Sequence, residues 1–192
     1  KSGMLDTDED VQKTVPGCSE NDICDDEGWY WFNASGKMYK DAKQKKINGK
    51  YYYFNNHGQM LYEWINGVKA NVASNAKLDS DSIEATASEV RYMNVVEEGW
   101  RADGWYQIDG AWYFMNADGS LKQNESFLYD NNLYFVNKSG KMYQNQWLKW
   151  DGNYYYLRSW GGAAHEGWLL LQNKYYYINE DCTRKTDEAF TY

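Results

Sequence analysis

Short runs of aromatic residues recur along this chain at a nearly constant interval, and this repeat limits the possible folds more than any other feature. Each run ends at a marker residue, which is Asn in all but one unit. Successive markers are 22, 39, 22, 21, 21 and 21 residues apart, at Asn33, Asn55, Asn94, Asn116, Asn137, Arg158 and Asn179. A period of about 21 residues indicates an array of small supersecondary units that pack against their neighbours.

The interval of 39 residues hides one further unit or an insertion. Ile65-Asn66-Gly67 lies where Ile47-Asn48-Gly49 lies one unit earlier, and no aromatic residue occurs between Trp64 and Tyr92. We therefore expect about eight units, with a degenerate unit or an insertion near residues 66–90.

Glycines in constant phase with the markers predict the turns. Asx-Gly pairs, which favour two-residue type I′ hairpin loops, precede the aromatic runs at Asn48-Gly49, Asn66-Gly67, Asp109-Gly110 and Asp151-Gly152. Three residues after the marker, a second turn position is occupied by Gly36, Gly58, Gly119, Gly140 and Gly161, with Cys182 replacing it where the array ends. An apolar residue follows two places later. Each unit is therefore predicted to be a β-hairpin followed by a glycine turn.

The Asp109-Gly110 loop fixes the register of its hairpin and so the two faces. Alternation places one set of side chains on one face, Trp105, Gln107, Trp112 and Phe114, and another set on the opposite face, Tyr106, Ile108, Tyr113 and Met115. Because both faces carry rings and a lone hairpin is unstable in water, the hairpins must stack. The predicted fold is all-β, a solenoid of stacked β-hairpin repeats of about 21 residues.

Composition explains how such a chain can fold with few aliphatic side chains. Only 31 of the 192 residues are Leu, Ile, Val or Phe, which is a proportion typical of disorder, but 10 Trp, 19 Tyr and 6 Phe supply large apolar rings for a core. The net charge of −8 belongs almost wholly to residues 1–27, with nine acidic and two basic residues. We expect an acidic leader over 1–27, the repeat array over 28–187 and a short tail over 188–192.

Charge and hydropathy exclude several classes of partner. No basic stripe is available for phosphates, so nucleic acid is not an expected partner. No apolar run is long enough to span a membrane, and membrane insertion is not expected. Cys18, Cys24 and Cys182 are the three cysteines. Cys18 and Cys24 could close a small loop, which leaves the question of a disulfide open.

Catalytic and metal sites are also not expected. His57 and His165 are the only histidines, and neither has a phased nucleophile partner. Asp109, Asp118 and Asp151 fall at turn positions, where Asp is favoured for local hydrogen bonds. The run over residues 6–10 lacks the glycine and glutamate of a calcium loop. The chain is therefore predicted to be no enzyme, with no cofactor and no metal.

The repeat resembles a known family. The unit from Gly104 to Leu121 looks like the choline-binding, or cell-wall-binding, repeat of Gram-positive surface proteins, and the stretch from Ile47 to Gly58 also resembles repeats of glucan-binding proteins and clostridial toxins. The resemblance covers roughly Gly28 to Cys182. It implies a secreted module at the cell wall or cell surface that binds choline on teichoic acid, or a glycan.

In the choline-binding branch, the resemblance implies a cage of two rings from one repeat and one from the next. A quaternary ammonium between ring faces gains about 2 kcal/mol or more when desolvated. The expected ligand-binding residues are Trp105 and Trp112 with Tyr134, Trp147 and Tyr154 with Tyr176, and the pair Trp168 and Tyr175, which has no following hairpin to complete a cage.

Three readings of these rings stay open at this point. The preferred one is a non-catalytic module that binds a choline-bearing cell-wall polymer. The second is carbohydrate binding, of an α-glucan or another glycan, by the same repeats. The third is a structural spacer or an element for homo-association whose rings are all used in stacking. Exposure of the rings separates the binding modes from the spacer, because a spacer should bury Trp105 and Trp112.

Overall fold

The fold is all-β over the residues that the computed structural model describes, which are 3–7, 28–40, 44–54, 58–61, 63–66, 77–78, 90–93 and 99–186. The strands in this part of the chain are β1 Gly3–Thr7, β2 Gly28–Phe32, β3 Gln44–Ile47, β4 Lys50–Phe54, β5 Met60–Leu61, β6 Glu63–Asn66, β7 Lys77–Leu78, β8 Val90–Met93, β9 Gly104–Ile108, β10 Ala111–Met115, β11 Glu125–Tyr129, β12 Asn132–Val136, β13 Gln146–Trp150, β14 Asn153–Leu157, β15 Gly167–Leu171 and β16 Lys174–Ile178. Within these ranges there is no helix long and apolar enough to cross a membrane.

Antiparallel hairpins joined by two-residue loops form most of the sheets, as the sequence predicts. Both residues of each tight loop have positive φ, at Asn48-Gly49, Asp109-Gly110, Asp130-Asn131, Asp151-Gly152 and Gln172-Asn173. Two consecutive positive φ angles characterise the type I′ turn, whose twist matches that of the paired strands. The loops Asp130-Asn131 and Gln172-Asn173 lack glycine and were missed by the sequence prediction.

The predicted alternation of faces is confirmed in the hairpin β9–β10. Ile108, Tyr113 and Met115 are buried, whereas Trp112 on the opposite face is 37% exposed. The neighbouring hairpin β11–β12 has the register expected for this loop length, since its innermost pair is Tyr129 with Asn132. Side chains on one face therefore form the core, and the rings on the other face remain partly accessible.

The glycine turn after each hairpin is also confirmed. The backbone N–H of Gly140 donates to the carbonyl of the marker Asn137 at 2.9 Å, and Gly140 has a φ of 79°. The Asn137 side chain closes the same turn, because its Oδ1 accepts hydrogen bonds from the backbone N–H groups of Ser139 and Lys141 at 2.9 Å each. Cys182 takes the glycine position in the last unit with a φ of 67°. This local hydrogen bonding explains why Asn recurs as the marker.

One hairpin contains a long insertion in place of its tight loop. Strand β6 pairs with β8, so that Trp64 lies opposite Tyr92 and Asn66 lies opposite Val90. The prediction of a turn at Asn66-Gly67 is therefore wrong, since Asn66 is still part of the strand. Residues 67–89 separate the two partners, and β7 within this segment pairs with the other edge of β6. Among the described residues of the 39-residue interval, β6 and β8 form one hairpin.

The acidic leader is not wholly separate from the repeats. Strand β1 pairs with β2 in antiparallel register, from Gly3 opposite Phe32 to Thr7 opposite Gly28. Composition alone assigned residues 3–7 to the leader because acidic residues dominate the segment. The first aromatic run thus finds a partner strand within the leader. Cys18 and Cys24 lie outside the described residues.

The chain divides into two compact units. The first contains Lys1–Tyr106 and Phe114–Leu121, and the second contains Gln107–Tyr113 and Lys122–Tyr192. The second unit has a core of Phe135, Leu157, Ala163 and Cys182, against which half-buried rings such as Tyr155 pack. The single array over residues 28–187 stays a prediction.

Candidate functional site

One position in each unit connects it to the preceding hairpin. The second residue after the turn glycine, or after Cys182, forms a β-bridge with the last residue of the aromatic strand, and we call it the bridge residue. These bridges join Phe32 to Met38, Met93 to Arg101, Met115 to Leu121, Val136 to Met142, Leu157 to Ala163 and Ile178 to Arg184. The sequence analysis found an apolar residue two places after the glycine in five units, and Arg101 and Arg184 occupy the equivalent position in two further units.

The backbone N–H of the bridge residue donates to a carbonyl of the preceding hairpin. The acceptor is the residue that begins the aromatic run there: Tyr51 for Arg101 at 2.7 Å, Trp112 for Met142 at 2.8 Å, Leu133 for Ala163 at 2.9 Å and Tyr154 for Arg184 at 2.7 Å. This repeated hydrogen bond fixes the backbone of each bridge residue beside the first residue of an aromatic run. The site that the rings form therefore depends on which side chain the bridge residue brings.

Arg184 brings a cation to two of the predicted ligand-binding rings. Its guanidinium carbon lies 4.4 Å from the ring centroid of Tyr154 and 5.3 Å from that of Trp147. Both distances are within the range of a cation–π interaction. Tyr154 of β14 and Trp147 of β13 thus form a cation site, and they are one of the ring pairs expected from the resemblance.

The third predicted ring of this cage is also adjacent. The centroids of Trp147 and Tyr176 are 5.0 Å apart, with the ring planes inclined by 59°. An open recess of about 290 Å³ lies beside them and is lined by Asn145, Gln146, Trp147, Tyr156, Leu171, Gln172 and Tyr176. The structure therefore brings Trp147 into contact with Tyr176 and places the Arg184 guanidinium against Trp147 and Tyr154.

Trp112 begins the aromatic run of β10, as Tyr154 begins that of β14, and both residues belong to the second compact unit. Its bridge residue is Met142, which brings no charge, and 37% of the Trp112 side chain is exposed. Trp105 lies in the other compact unit, where its ring meets that of Phe114 at 5.1 Å between centroids. The pairing of Trp105 with Trp112 around a ligand remains a prediction.

Tyr134, the ring assigned to the Trp112 cage, is held by two aromatic neighbours. It stacks on Phe127 with centroids 5.9 Å apart and meets the edge of Trp160 at 6.0 Å. Burial raises the pKa of its hydroxyl, and the charge of Asp130 acts in the same direction. Trp160 was not among the predicted site residues although it is 47% exposed, because it stands outside the phased aromatic runs.

The last predicted pair is the most exposed. Trp168 is 53% exposed and Tyr175 is 69% exposed. Their centroids are 6.3 Å apart and their planes are perpendicular. The structure brings these two rings together as expected and leaves large parts of both accessible to a ligand.

A second aromatic cluster, in the first unit, was not predicted. The ammonium group of Lys45 lies 4.3 Å from the ring centroid of Trp31 and 4.9 Å from that of Tyr39. A recess of about 480 Å³ there is lined by Trp31, Asn33, Lys37, Met38, Tyr39, Lys40 and Lys45. Tyr39 follows the turn and lies outside the aromatic run, so the repeat alone gave no signal for it.

Two polar side chains near the turns, His165 and Asp118, have structural partners. His165 shares a hydrogen bond with the Asn132 side chain at 2.9 Å between Nε2 and Oδ1. Asp118 closes its turn by accepting hydrogen bonds from Ser120, which lower the pKa of the Asp118 carboxyl. The described ranges hold no group of three metal-binding side chains. His57 lies outside these ranges.

Comparison with known proteins identifies the repeat. The family of cell wall binding repeats matches the chain at residues 23–38, 45–60, 103–121 and 145–163. No curated protein matches the chain. The matched segments include the aromatic runs and turn glycines of four hairpins.

Solved structures share the fold at low sequence identity. CbpJ from Streptococcus pneumoniae is 19% identical, with a TM-score of 0.67 over 96% of this chain and 58% of that one. Choline binding protein F from the same organism, in the presence of a peptidoglycan analogue, is 21% identical, with a TM-score of 0.66 over 85% of this chain and 51% of that one. The chain thus spans little more than half the length of these proteins. The four matched segments are similar to cell wall binding repeats, and the solved structures show that the chain shares their all-β fold.

Proposed function

We propose that this chain is a non-catalytic binding module that holds a choline-bearing polymer of the cell wall through the rings of its hairpins. The placement of Arg184 carries the proposal. A guanidinium between Tyr154 and Trp147 means that the bridge position of this repeat accommodates a cation against two aromatic faces. Choline presents the same charge without needing hydrogen-bond acceptors, so ring faces alone can bind it.

Trp112 is the proposed choline-binding ring. Its bridge residue, Met142, is uncharged, so no guanidinium enters from that position. A ring that is 37% exposed keeps a face within reach of a ligand, while the buried remainder lowers the cost of desolvation. Exposure of Trp112 also disfavours the spacer, in which the rings should be buried.

The proposed setting is the cell surface. The neighbours named above include choline binding protein F, whose structure was determined in the presence of a peptidoglycan analogue. A polymer that carries many choline groups can be held by sites of low individual affinity, because linked sites raise the effective concentration. Homo-association is not needed for this role.

Titration with choline tests the proposal. Intrinsic Trp fluorescence should change and saturate in the millimolar range or below, and Trp112→Ala should weaken the response by about tenfold or more. Leu128→Ala is the matched control, because Leu128 is a large apolar residue that is 74% exposed in a neighbouring strand. This variant should bind choline like the native chain.

Sodium chloride at equal ionic strength separates choline binding from ion exchange on the acidic segments. Two results would contradict the proposal: no saturable response to choline up to tens of millimolar, or equal binding by the native chain and Trp112→Ala.

The perpendicular pair Trp168 and Tyr175 supports a second candidate function, glycan binding. These two rings are largely exposed, and no further hairpin follows β16 within the described residues. An open ring face suits the C–H groups of a pyranose. A short α-glucan that shifts the Trp168 signal, and loses this effect in Trp168→Ala, would support this role at the end of the chain.

A further inference from the structure

We infer that Arg184 is a built-in occupant of the ring site formed by Trp147, Tyr154 and Tyr176, and that the bridge residue decides which aromatic sites of the array can take choline. The inference rests on the proposed function, because it assigns specificity among sites of the same kind. The three rings would otherwise be expected to bind a quaternary ammonium.

The guanidinium and a choline headgroup need the same surface. Arg184 lies 4.4 Å from the Tyr154 centroid and 5.3 Å from the Trp147 centroid, so it covers faces of both rings. Its backbone is anchored on both sides, by the hydrogen bond to the Tyr154 carbonyl and by the bridge to Ile178. A tethered cation is present at high effective concentration, and free choline must displace it. Like charges also disfavour the two cations together.

The same arrangement recurs independently in the first unit. The guanidinium carbon of Arg101 lies 4.5 Å from the centroid of Tyr51, which begins the aromatic run of β4. The Arg101 head group donates hydrogen bonds to Gln44 Oε1 at 2.7 Å and to the Ala117 carbonyl at 2.6 Å. Two bridge arginines, each on the first Tyr of an aromatic run, show that the placement follows from the repeat geometry.

Bridge residues differ in what they bring to the first residue of the aromatic run. Arg lies over a Tyr ring twice, whereas the backbone of the uncharged Met142 bonds to Trp112 and that of Ala163 bonds to Leu133. Arginine stacks its planar guanidinium on a ring face and keeps its edge in contact with water. Met142 brings no charge to its position. The bridge residue therefore decides whether the repeat itself places a cation at that position.

The test uses the Trp147 indole N–H as a local reporter by NMR of the full chain labelled at Trp. Choline should leave the Trp147 signal of the native chain unchanged up to tens of millimolar. In Arg184→Met the signal should titrate, with an apparent dissociation constant at least about tenfold lower than any native response. Arg184→Lys keeps a cation and should remain closed. Arg158→Met, which removes an exposed positive charge elsewhere, should behave like the native chain.

Two outcomes overturn the inference. One is saturable binding at Trp147 in the native chain with the affinity of Arg184→Met, and the other is a Trp147 signal that stays silent in folded Arg184→Met. The Trp112 indole in the same spectra reports separately on the proposed function. If Trp112 responds to choline while Trp147 fails in both chains, only the inference is lost. If both signals are silent in every variant, the proposed function fails as well.

Discussion

Replacing Met142 by Arg should close the Trp112 site. The backbone N–H of residue 142 donates to the Trp112 carbonyl at 2.8 Å, as that of Arg184 does to Tyr154 at 2.7 Å. An arginine at position 142 thus begins from the same backbone position as Arg184. Its guanidinium can extend over the indole as Arg184 extends over the phenol ring of Tyr154.

The size of the effect follows from the cation–π energy. Such a contact gives about 0.5–1 kcal/mol at an exposed site and about 2 kcal/mol when desolvated. Trp112 is 37% exposed, so a value of about 1–2 kcal/mol is appropriate. The open fraction of the site then falls about 5- to 30-fold, and the apparent dissociation constant for choline rises by the same factor.

Fluorescence titration with choline measures this factor directly. Met142→Leu is the control, because it conserves volume and adds no charge, and it should bind choline within about twofold of the native chain. A urea unfolding curve for each variant checks that the fold is intact. Unchanged choline affinity in a folded Met142→Arg chain would refute the reasoning. An equal loss in Met142→Leu would assign the effect to packing and not to charge.

Two further predictions concern the turns that hold the hairpins in place. Gly161→Ala should destabilise the chain by about 1–3 kcal/mol in urea unfolding, because φ is 94° there and an added Cβ would overlap the thioether of Met142. Gly152→Ala is its control, because φ is 84° there and nothing lies near the added Cβ, and this variant should be destabilised less. Equal destabilisation of the two variants would show that the contact with Met142 contributes nothing. Hydrogen bonds from Thr183 lower the pKa of Asp181 in the folded chain, so the stability they give is present above the unfolded pKa of about 3.9 and is lost as pH falls through the folded pKa. Asp181→Asn should therefore reduce the fall of the urea midpoint between pH 6 and pH 2.5, and an identical fall in both chains would contradict this origin.

The hairpins could be predicted from sequence because a two-residue loop fixes the whole register. With Asp109-Gly110 at the loop, alternation places Tyr113 and Met115 on the face opposite Trp112, and the structure buries the face of Tyr113 and Met115. The loop Gln172-Asn173 was missed because Gln has no preference for positive φ. Packing of β15 against β16 holds it in that conformation. The loop could have been predicted from its place in the repeat, because Gln172-Asn173 lies 21 residues after Asp151-Gly152.

The fold prediction failed where two paired strands are far apart in the sequence. Residues 67–89 separate β6 from β8, so the pairing of Trp64 with Tyr92 gives no local pattern in the sequence. The Asn66-Gly67 pair favours a turn by its chemistry, yet the structure extends the strand through Asn66. Cross-strand packing of Trp64 on Tyr92, with ring centroids 5.0 Å apart, stabilises the longer strand. Tertiary contacts outweigh a local turn preference here.

The sequence predicted the aromatic residues of the candidate site but not the cation that lies on them. The resemblance to choline-binding repeats implied Trp147, Tyr154 and Tyr176, and the structure places Trp147 next to Tyr176. The resemblance gave no role to Arg184. A charged residue in an otherwise apolar phase was the available signal, since it needs a partner that offsets its burial.

A self-supplied cation also explains how so many rings remain compatible with a soluble surface. A large ring left bare exposes apolar area, whereas an arginine stacked on it covers one face and directs its remaining N–H groups to water. Arg184 does this for Tyr154, and Lys45 does it for Trp31. A ring that holds no ligand can thus be capped from within the chain. Under the proposed function, the number of choline sites in the chain depends on its bridge residues as well as on its aromatic residues.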